Sequence, residues 1–278
     1  MDILGNLLSA AKLLRSGLDF ALERRDSFRQ EAARVIAACK AHDLTPNVAA
    51  DLMDDGLIED PSVFERPKDL KPYLRKITPW AAELLQLDPA WFKGRTSRAH
   101  KNIDDLQEFL LSRSFDESAT VRFDIYVFKT DDTPIHRSRG RFCVILEECF
   151  TYLDEEQCDG VYRYYYLTQG AFFEHYKWLL QLMSLAAIAH VHSIPIRGAV
   201  MSADRLAKLD QGYGLVPDLL REKLGKSWYV EDAIWTSLGA PADWVLQRRP
   251  DFDDYLVRIG RKDVLENLVE SRARLEDG

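Results

Sequence analysis

Apolar positions recur at helical spacing through the first hundred residues and then change to strict alternation, so the chain reads as a helical part followed by a strand-bearing part. Ile3, Leu7, Leu14, Leu18 and Leu22 lie near a 3.6-residue repeat and predict an amphipathic leading helix over 3–24. Asp26-Ser27 caps a second helix running to about Lys40, with Phe28, Ala32, Ala33, Ile36 and Ala37 as its expected inner face. Thr45-Pro46 places an N-cap hydroxyl before a proline at the first helical position, and opens a helix that Gly56 closes. Pro61, Pro67 and Pro72 limit any helix between them to a few residues. Thr78-Pro79 repeats the start signal for a helix over 80–87. Asp88-Pro89 begins one more turn through Trp91 and Phe92, ended by Gly94. A helix leads out from Asn102, and 112–118 reads as a linker.

Beyond the linker the period falls to two. Phe123, Ile125 and Val127 alternate with Arg122, Asp124 and Tyr126, which predicts a strand with one dry face. Residues 141–147 and 161–167 read as two more strands, separated from the first by a polar loop over 131–140. A long helix over 171–192 is apolar almost all round and so expected at the centre of the domain. A fourth strand follows at 194–200, with Gly198 as a possible bulge. Short helices are expected at 203–209 and 216–224, a strand or loop at 228–235, and a last amphipathic helix over 252–275. Strands cluster and then give way to helices. The fold class expected is therefore α+β, an all-α domain over 1–111 followed by an α+β domain over 119–278 with a mainly antiparallel sheet and a long buried helix.

Composition adds limits. Apolar residues at 46% and charged residues at 29% are those of a folded chain, which argues against wholesale disorder. The four cysteines, Cys39, Cys143, Cys149 and Cys158, lack C-x-x-C spacing, so a structural role in a reducing, cytoplasmic setting is expected. The most apolar segment, 172–191, is interrupted by Glu174, His175, Lys177 and Gln181, too short a clean run for a membrane span.

The net charge of −8 conceals an asymmetry. From Arg66 to Lys101 nine basic residues face three acidic ones, a balance of +6, leaving −14 on the rest. Such a basic stretch marks either a nucleic-acid face or a solvated surface.

The helical part resembles the phage-repressor (Cro/CI-like) helix-turn-helix family over about residues 28–95. Leu44-Thr45-Pro46 with Ala49-Ala50 stand in the place of that family's second helix. The run from Thr78 through Leu87-Asp88-Pro89-Ala90-Trp91-Phe92-Lys93-Gly94 is similar to its closing helices. The resemblance places the recognition helix between about Ile58 and Leu74, where this chain carries three prolines and lacks the family's Ser/Thr-rich helix. It implies a transcriptional regulator that binds double-stranded DNA as a homodimer. Lys68, Lys71, Arg75 and Lys76 would contact phosphates or bases, and Lys93, Arg95, Arg98 and Lys101 would clamp phosphates beyond the last turn. Trp80 and Trp91, on apolar helical faces, are expected in the core. A protein-interaction module built on a degenerate helix-turn-helix is the alternative, and an enzyme with an unrecognised C-terminal site is the third.

Chemistry in the second part is sparse. Tyr162, Tyr164 and Tyr166 share one strand face, and Tyr126 with Arg122 sits on a candidate neighbouring strand. These five are the candidate ligand-binding or interface residues, for a small effector or a protein partner, or else a sheet face beneath the long helix. Asp124 with Glu147 or Glu148 is the one carboxylate pair suited to a metal, and no lysine follows it at nuclease spacing. His190 and His192 diverge by about 200° on a helix, and His175 beside Glu174 does not face it. Ile196-Arg197-Gly198-Ala199 resembles one strand of nucleotide-cyclase-like domains over four residues, and nothing else of that family's catalytic set is present. No nucleophile elbow, P-loop or dinucleotide fingerprint occurs, so no cofactor or metal is implied.

Overall fold

The computed structural model describes residues 26–53, 57–100, 122–154, 159–222, 224–234 and 243–276. The leading helix expected at 3–24, Gly56, Lys101, the helix from Asn102 and the linker at 112–118 lie outside them. The chain divides into two compact units, Met1–Ala99 and His100–Gly278.

In the first unit α1 spans Ser27–Ala41. The Asp26 side chain caps it, accepting hydrogen bonds from the amides of Phe28 and Arg29. Its buried face is Glu31, Ala32, Val35, Ala38 and Cys39. That face is turned from the one expected: Ala32 is buried, but Phe28, Ala33 and Ala37 are exposed and Ile36 is half-buried. Small alanines on both sides of the helix leave the wheel undecided, and burial follows Val35. α2 (Pro46–Asp51) starts as expected, with Thr45 as its cap. A 3-10 turn at Pro61–Glu65 follows, then α3 (Pro67–Leu70), a 3-10 turn at Lys71–Tyr73 and α4 (Leu74–Leu84).

Thr78-Pro79 is not a helix start. α4 runs through Pro79, which stands exposed on its outer side. The Thr78 hydroxyl donates instead to the buried Glu31 carboxylate of α1, 2.7 Å away, so the residue that looks like a cap is a cross-helix tie. Trp80 is half-buried, tilted against Phe64, with its indole N–H on the Leu52 carbonyl at 3.2 Å. α5 (Pro89–Phe92) is capped by Asp88 and ends at Gly94, whose φ is +71°. Arg34 of α1 reaches the end of α5, donating to the Trp91 carbonyl at 2.6 Å with its guanidinium 5.8 Å from the Trp91 ring. Trp91 is half-buried, while Phe92 beside it is fully buried.

The second unit is a mixed α+β fold around a five-stranded, mostly antiparallel sheet of order β3-β2-β1-β4-β5. Its strands are β1 (Arg122–Lys129), β2 (Arg141–Asp154), β3 (Asp159–Phe172), β4 (Ile196–Val200) and β5 (Ser227–Trp228). The meander β1-β2-β3 is antiparallel, and β2 and β3 are each twice the length the alternation suggested. α6 (Tyr176–Val191) then carries the chain across the sheet, so that β4 joins β1 in parallel, as a helical crossover permits. Gly198 makes no bulge in that pairing: Val127↔Gly198 and Phe128↔Ala199 run in step. Its missing Cβ leaves room for Trp228 of β5.

The pleat sorts two cores onto opposite faces. Phe123, Ile125, Val127, Val144, Leu146, Tyr165 and Leu167 pack with α6, α9 (Asp243–Arg258) and α10 (Lys262–Glu276). The helix expected at 252–275 is these two, broken by Gly260 at φ +74°. Phe128, Cys143, Ile145, Tyr164 and Tyr166 lie on the other face beneath α7 (Ala203–Gln211) and α8 (Val216–Arg221).

Candidate functional site

Two places gather the chemistry. The first is the outer side of the helical run from Pro67 to Leu84. Lys68, Lys71, Arg75 and Lys76 follow one another along that run, on α3, the 3-10 turn and the start of α4. All four are exposed. Lys71 is tied to Asp26 at 2.7 Å and holds its carboxyl below the usual carboxylate range, chiefly through that hydrogen bond. Lys93, Arg95 and Arg98 are exposed in the segment after α5, and Lys101 lies outside the described residues. Between Ile58 and Leu74 there is no single long helix, but two 3-10 turns and one four-residue helix. Pro61, Pro67 and Pro72 each stand at the first or second position of one of these turns, so each restarts the helix rather than continuing it. Glu59, Asp60 and Glu65 are exposed around the first turn, which is therefore acidic.

The second place is the end of the sheet where β1 begins. The register sets Asp124 opposite Glu147, and Glu147 opposite Tyr164. One step along, Tyr126 stands beside Arg197 of β4. Alternation then puts Arg122, Asp124, Tyr126, Glu147, Tyr162, Tyr164 and Arg197 on one face. Asp124 is buried, and its two carboxylate oxygens are taken separately. Arg197 Nη2 donates to Oδ1 at 3.1 Å, while Arg122 Nε stands 3.6 Å from Oδ2. The Tyr126 hydroxyl donates to Glu147 at 3.3 Å, and Tyr164 adds a second hydrogen bond to the same carboxyl. Burial pushes the Glu147 carboxyl above its ordinary value, against the pull of both tyrosines and of Arg197. The Tyr126 and Tyr164 phenols are raised too, first by burial and then by the Glu147 charge.

The five residues expected as a ligand or interface group thus do share a face, but in unequal surroundings. Tyr164 and Tyr166 are buried, Tyr126 and Tyr162 half-buried, and Arg122 exposed. The layer above them is α7 and α8, while the long helix covers the opposite face, where Tyr165 hydrogen-bonds Glu148. Glu148 is therefore no partner for Asp124. Sequence reasoning missed Arg197 as a site residue, because nothing in a five-residue strand announces that it lies beside β1. The available signal was its place as the one charged residue in an otherwise apolar strand that follows the helical crossover.

Among the described residues no group of three histidine, cysteine, aspartate or glutamate side chains is placed to hold a metal ion. Cys39, Cys143 and Cys149 are buried and outside any disulfide, and burial pushes the Cys39 thiol up to about 12. His192 closes α6 with Arg261 Nη2 at 2.8 Å from its Nε2, and His190 is exposed on the helix's last turn. No helix among the described residues is long and apolar enough to cross a membrane. Compared with protein-family models, curated proteins and solved structures, the chain matches none of them.

Proposed function

We propose that the chain is a DNA-binding transcriptional regulator of the helix-turn-helix kind, whose C-terminal α+β unit senses a small ligand and pairs two copies. The observation that carries this reading is the exposed basic side of the Pro67–Leu84 run, where Lys68, Lys71, Arg75 and Lys76 stand together. Exposed cations gathered in one segment suit a phosphate backbone, and such contacts fix a protein on the duplex without reading its bases. Specificity then comes from pairing two half-sites, as dimeric regulators do. The polar cluster of Asp124, Glu147, Arg122 and Arg197 supplies the sensing surface.

The test is a gel shift with a pooled random duplex library at 50 and 200 mM salt, comparing wild type with Lys68/Arg75/Lys76→Ala. Removing three phosphate contacts lowers the slope of log affinity against log salt by about 2.7, taking about 0.9 per contact. Absence of any shift at 50 mM salt, or an unchanged slope in the variant, overturns the reading. A second reading has its own support. The segment that the resemblance assigns to the recognition helix is broken and carries exposed Glu59, Asp60 and Glu65, which repel a duplex. A protein-interaction module predicts no salt-dependent DNA affinity in that same experiment.

A further inference from the structure

The pair of arginines on Asp124 is arranged unlike an ordinary surface ion pair. The acid is at the bottom, with its side chain 8% exposed, and the cations are at the mouth, with Arg197 at 58% and Arg122 at 54%. Each guanidinium is paired with a different oxygen of the one carboxylate, Arg197 through a hydrogen bond and Arg122 through an ion pair, so both are held at one acid. The guanidinium of Arg197 also stands 5.9 Å from the Tyr126 ring centroid, which limits its swing. A guanidinium has five N–H donors, and anchorage to a single oxygen leaves most of them facing solvent. The neighbouring acid does not consume them, because Glu147 takes its hydrogen bonds from the Tyr126 and Tyr164 hydroxyls. Asp124 and Glu147 together match the two cations in charge, so the mouth carries an excess positive charge only where Glu147 is protonated, the form its burial favours.

We propose that Arg122 and Arg197, braced by Asp124, form a clamp for a small oxyanion of the phosphate class, with the adjoining tyrosines as the surface for whatever carries the phosphate. Paired arginine forks suit a tetrahedral dianion better than a single lysine does, since each offers parallel donors to two oxygens. The clamp specifies the sensing surface of the regulator proposed above, and its regulatory meaning rests on that reading.

The experiment is isothermal titration of the full chain with inorganic phosphate and with phenyl phosphate, for wild type, Arg122→Gln, Arg197→Gln and, as a control in an exposed ion pair of α10, Lys262→Gln. Saturable binding that weakens about tenfold or more in either arginine variant and is unchanged in Lys262→Gln is the expected result. Equal affinity for the two probes means that the anion alone is read. Tighter binding of phenyl phosphate means that the tyrosine rings contribute. Arg197→Lys guards against a folding defect: it keeps the charge but loses the fork, and binds more weakly than wild type while the unfolding transition is unmoved. No saturable heat with either probe, or binding that survives both glutamine substitutions, overturns the clamp. Duplex binding by the same proteins separates the two claims. Phosphate binding without DNA binding keeps the clamp and sinks the regulator, and DNA binding without phosphate binding does the reverse.

Discussion

Gly94 is held to glycine by two separate constraints, and their costs can be told apart. It ends α5 in the left-handed region at φ +71°, with its amide on the Trp91 carbonyl and the next amide, of Arg95, on the Ala90 carbonyl. A side chain in that region costs roughly 1–2 kcal/mol on backbone grounds alone. A Cβ there would also meet Arg34 Nη1 at 2.8 Å, too close for either to stay. Arg34 is the flexible party, so it moves, and the charge-assisted bond it gives Trp91 at 2.6 Å is lost. For a half-buried guanidinium the low end of the range applies, about 1.5 kcal/mol. Gly94→Ala is therefore expected to destabilise this unit by roughly 2.5–3.5 kcal/mol, and by only about 1–2 kcal/mol when Arg34→Ala is already present. Amide hydrogen exchange of peptides covering α1 and α5 measures each opening free energy without demanding that the whole chain unfold in one step. A coupling of about 1.5 kcal/mol between the two substitutions is expected. Additive effects would falsify the account of Arg34 as the atom in the way, and a cost below about 0.5 kcal/mol for the single variant would remove the backbone account as well.

Other substitutions test the remaining structure. Gly198→Ala sets a methyl against the Trp228 backbone oxygen and within 2.7 Å of its ring. Because a backbone atom cannot swing aside, a loss of at least about 2 kcal/mol in urea unfolding is expected, and a smaller one means that β5 is not packed as described. Thr78→Val leaves the buried Glu31 carboxylate without that donor and is expected to cost about 1–3 kcal/mol, whereas Thr78→Ser is near neutral; equal costs would mean that the hydroxyl tie to Glu31 contributes nothing. Glu147 supplies a pH test. Its carboxyl is raised above the ordinary 4.5, so the folded chain holds that proton more tightly than the unfolded one. Its contribution to stability is fully present at low pH and declines as pH rises from 4.5 through the folded value. Glu147→Gln abolishes that decline, and its urea midpoint gains on wild type between pH 4 and 7. A gap that does not change with pH contradicts the burial.

The places where the chain stops its helices show why boundaries were partly legible. Gly94 and Gly260 sit at left-handed ends, yet Asp43, Gln86 and Ser193 hold φ of 56°, 54° and 52° at the ends of α1, α4 and α6. A glycine in such a place can be read from the sequence, because its backbone freedom is local. An aspartate, glutamine or serine there is imposed by what the next residues must bury. Leu44, Leu87 and Ile194 each follow such a stop, their amides returning to the carbonyls of Cys39, Ala82 and Ala189. Thr78-Pro79 fails as a signal for the same reason, since the partner that decides its role lies 47 residues away.

The sequence by itself determined the class of the second unit, because a period of two needs only neighbouring residues, and Val127 and Phe128 must face opposite ways whatever lies above them. It determined that Tyr162, Tyr164 and Tyr166 share a face, and that the stretch with Pro61, Pro67 and Pro72 holds no long helix. Tertiary structure alone decided which face met which layer. α6 and α7 each offer an apolar face to a sheet, and only the course of the chain from β3 to β4 sets α6 over Tyr165 and leaves the other tyrosines to α7 and α8. That same crossover lays β4 beside β1, bringing Arg197 to Asp124 across 73 residues. Charge and alternation are properties of the chain read locally. The meeting of two arginines on one buried carboxylate depends on strand order, which a single sequence does not carry.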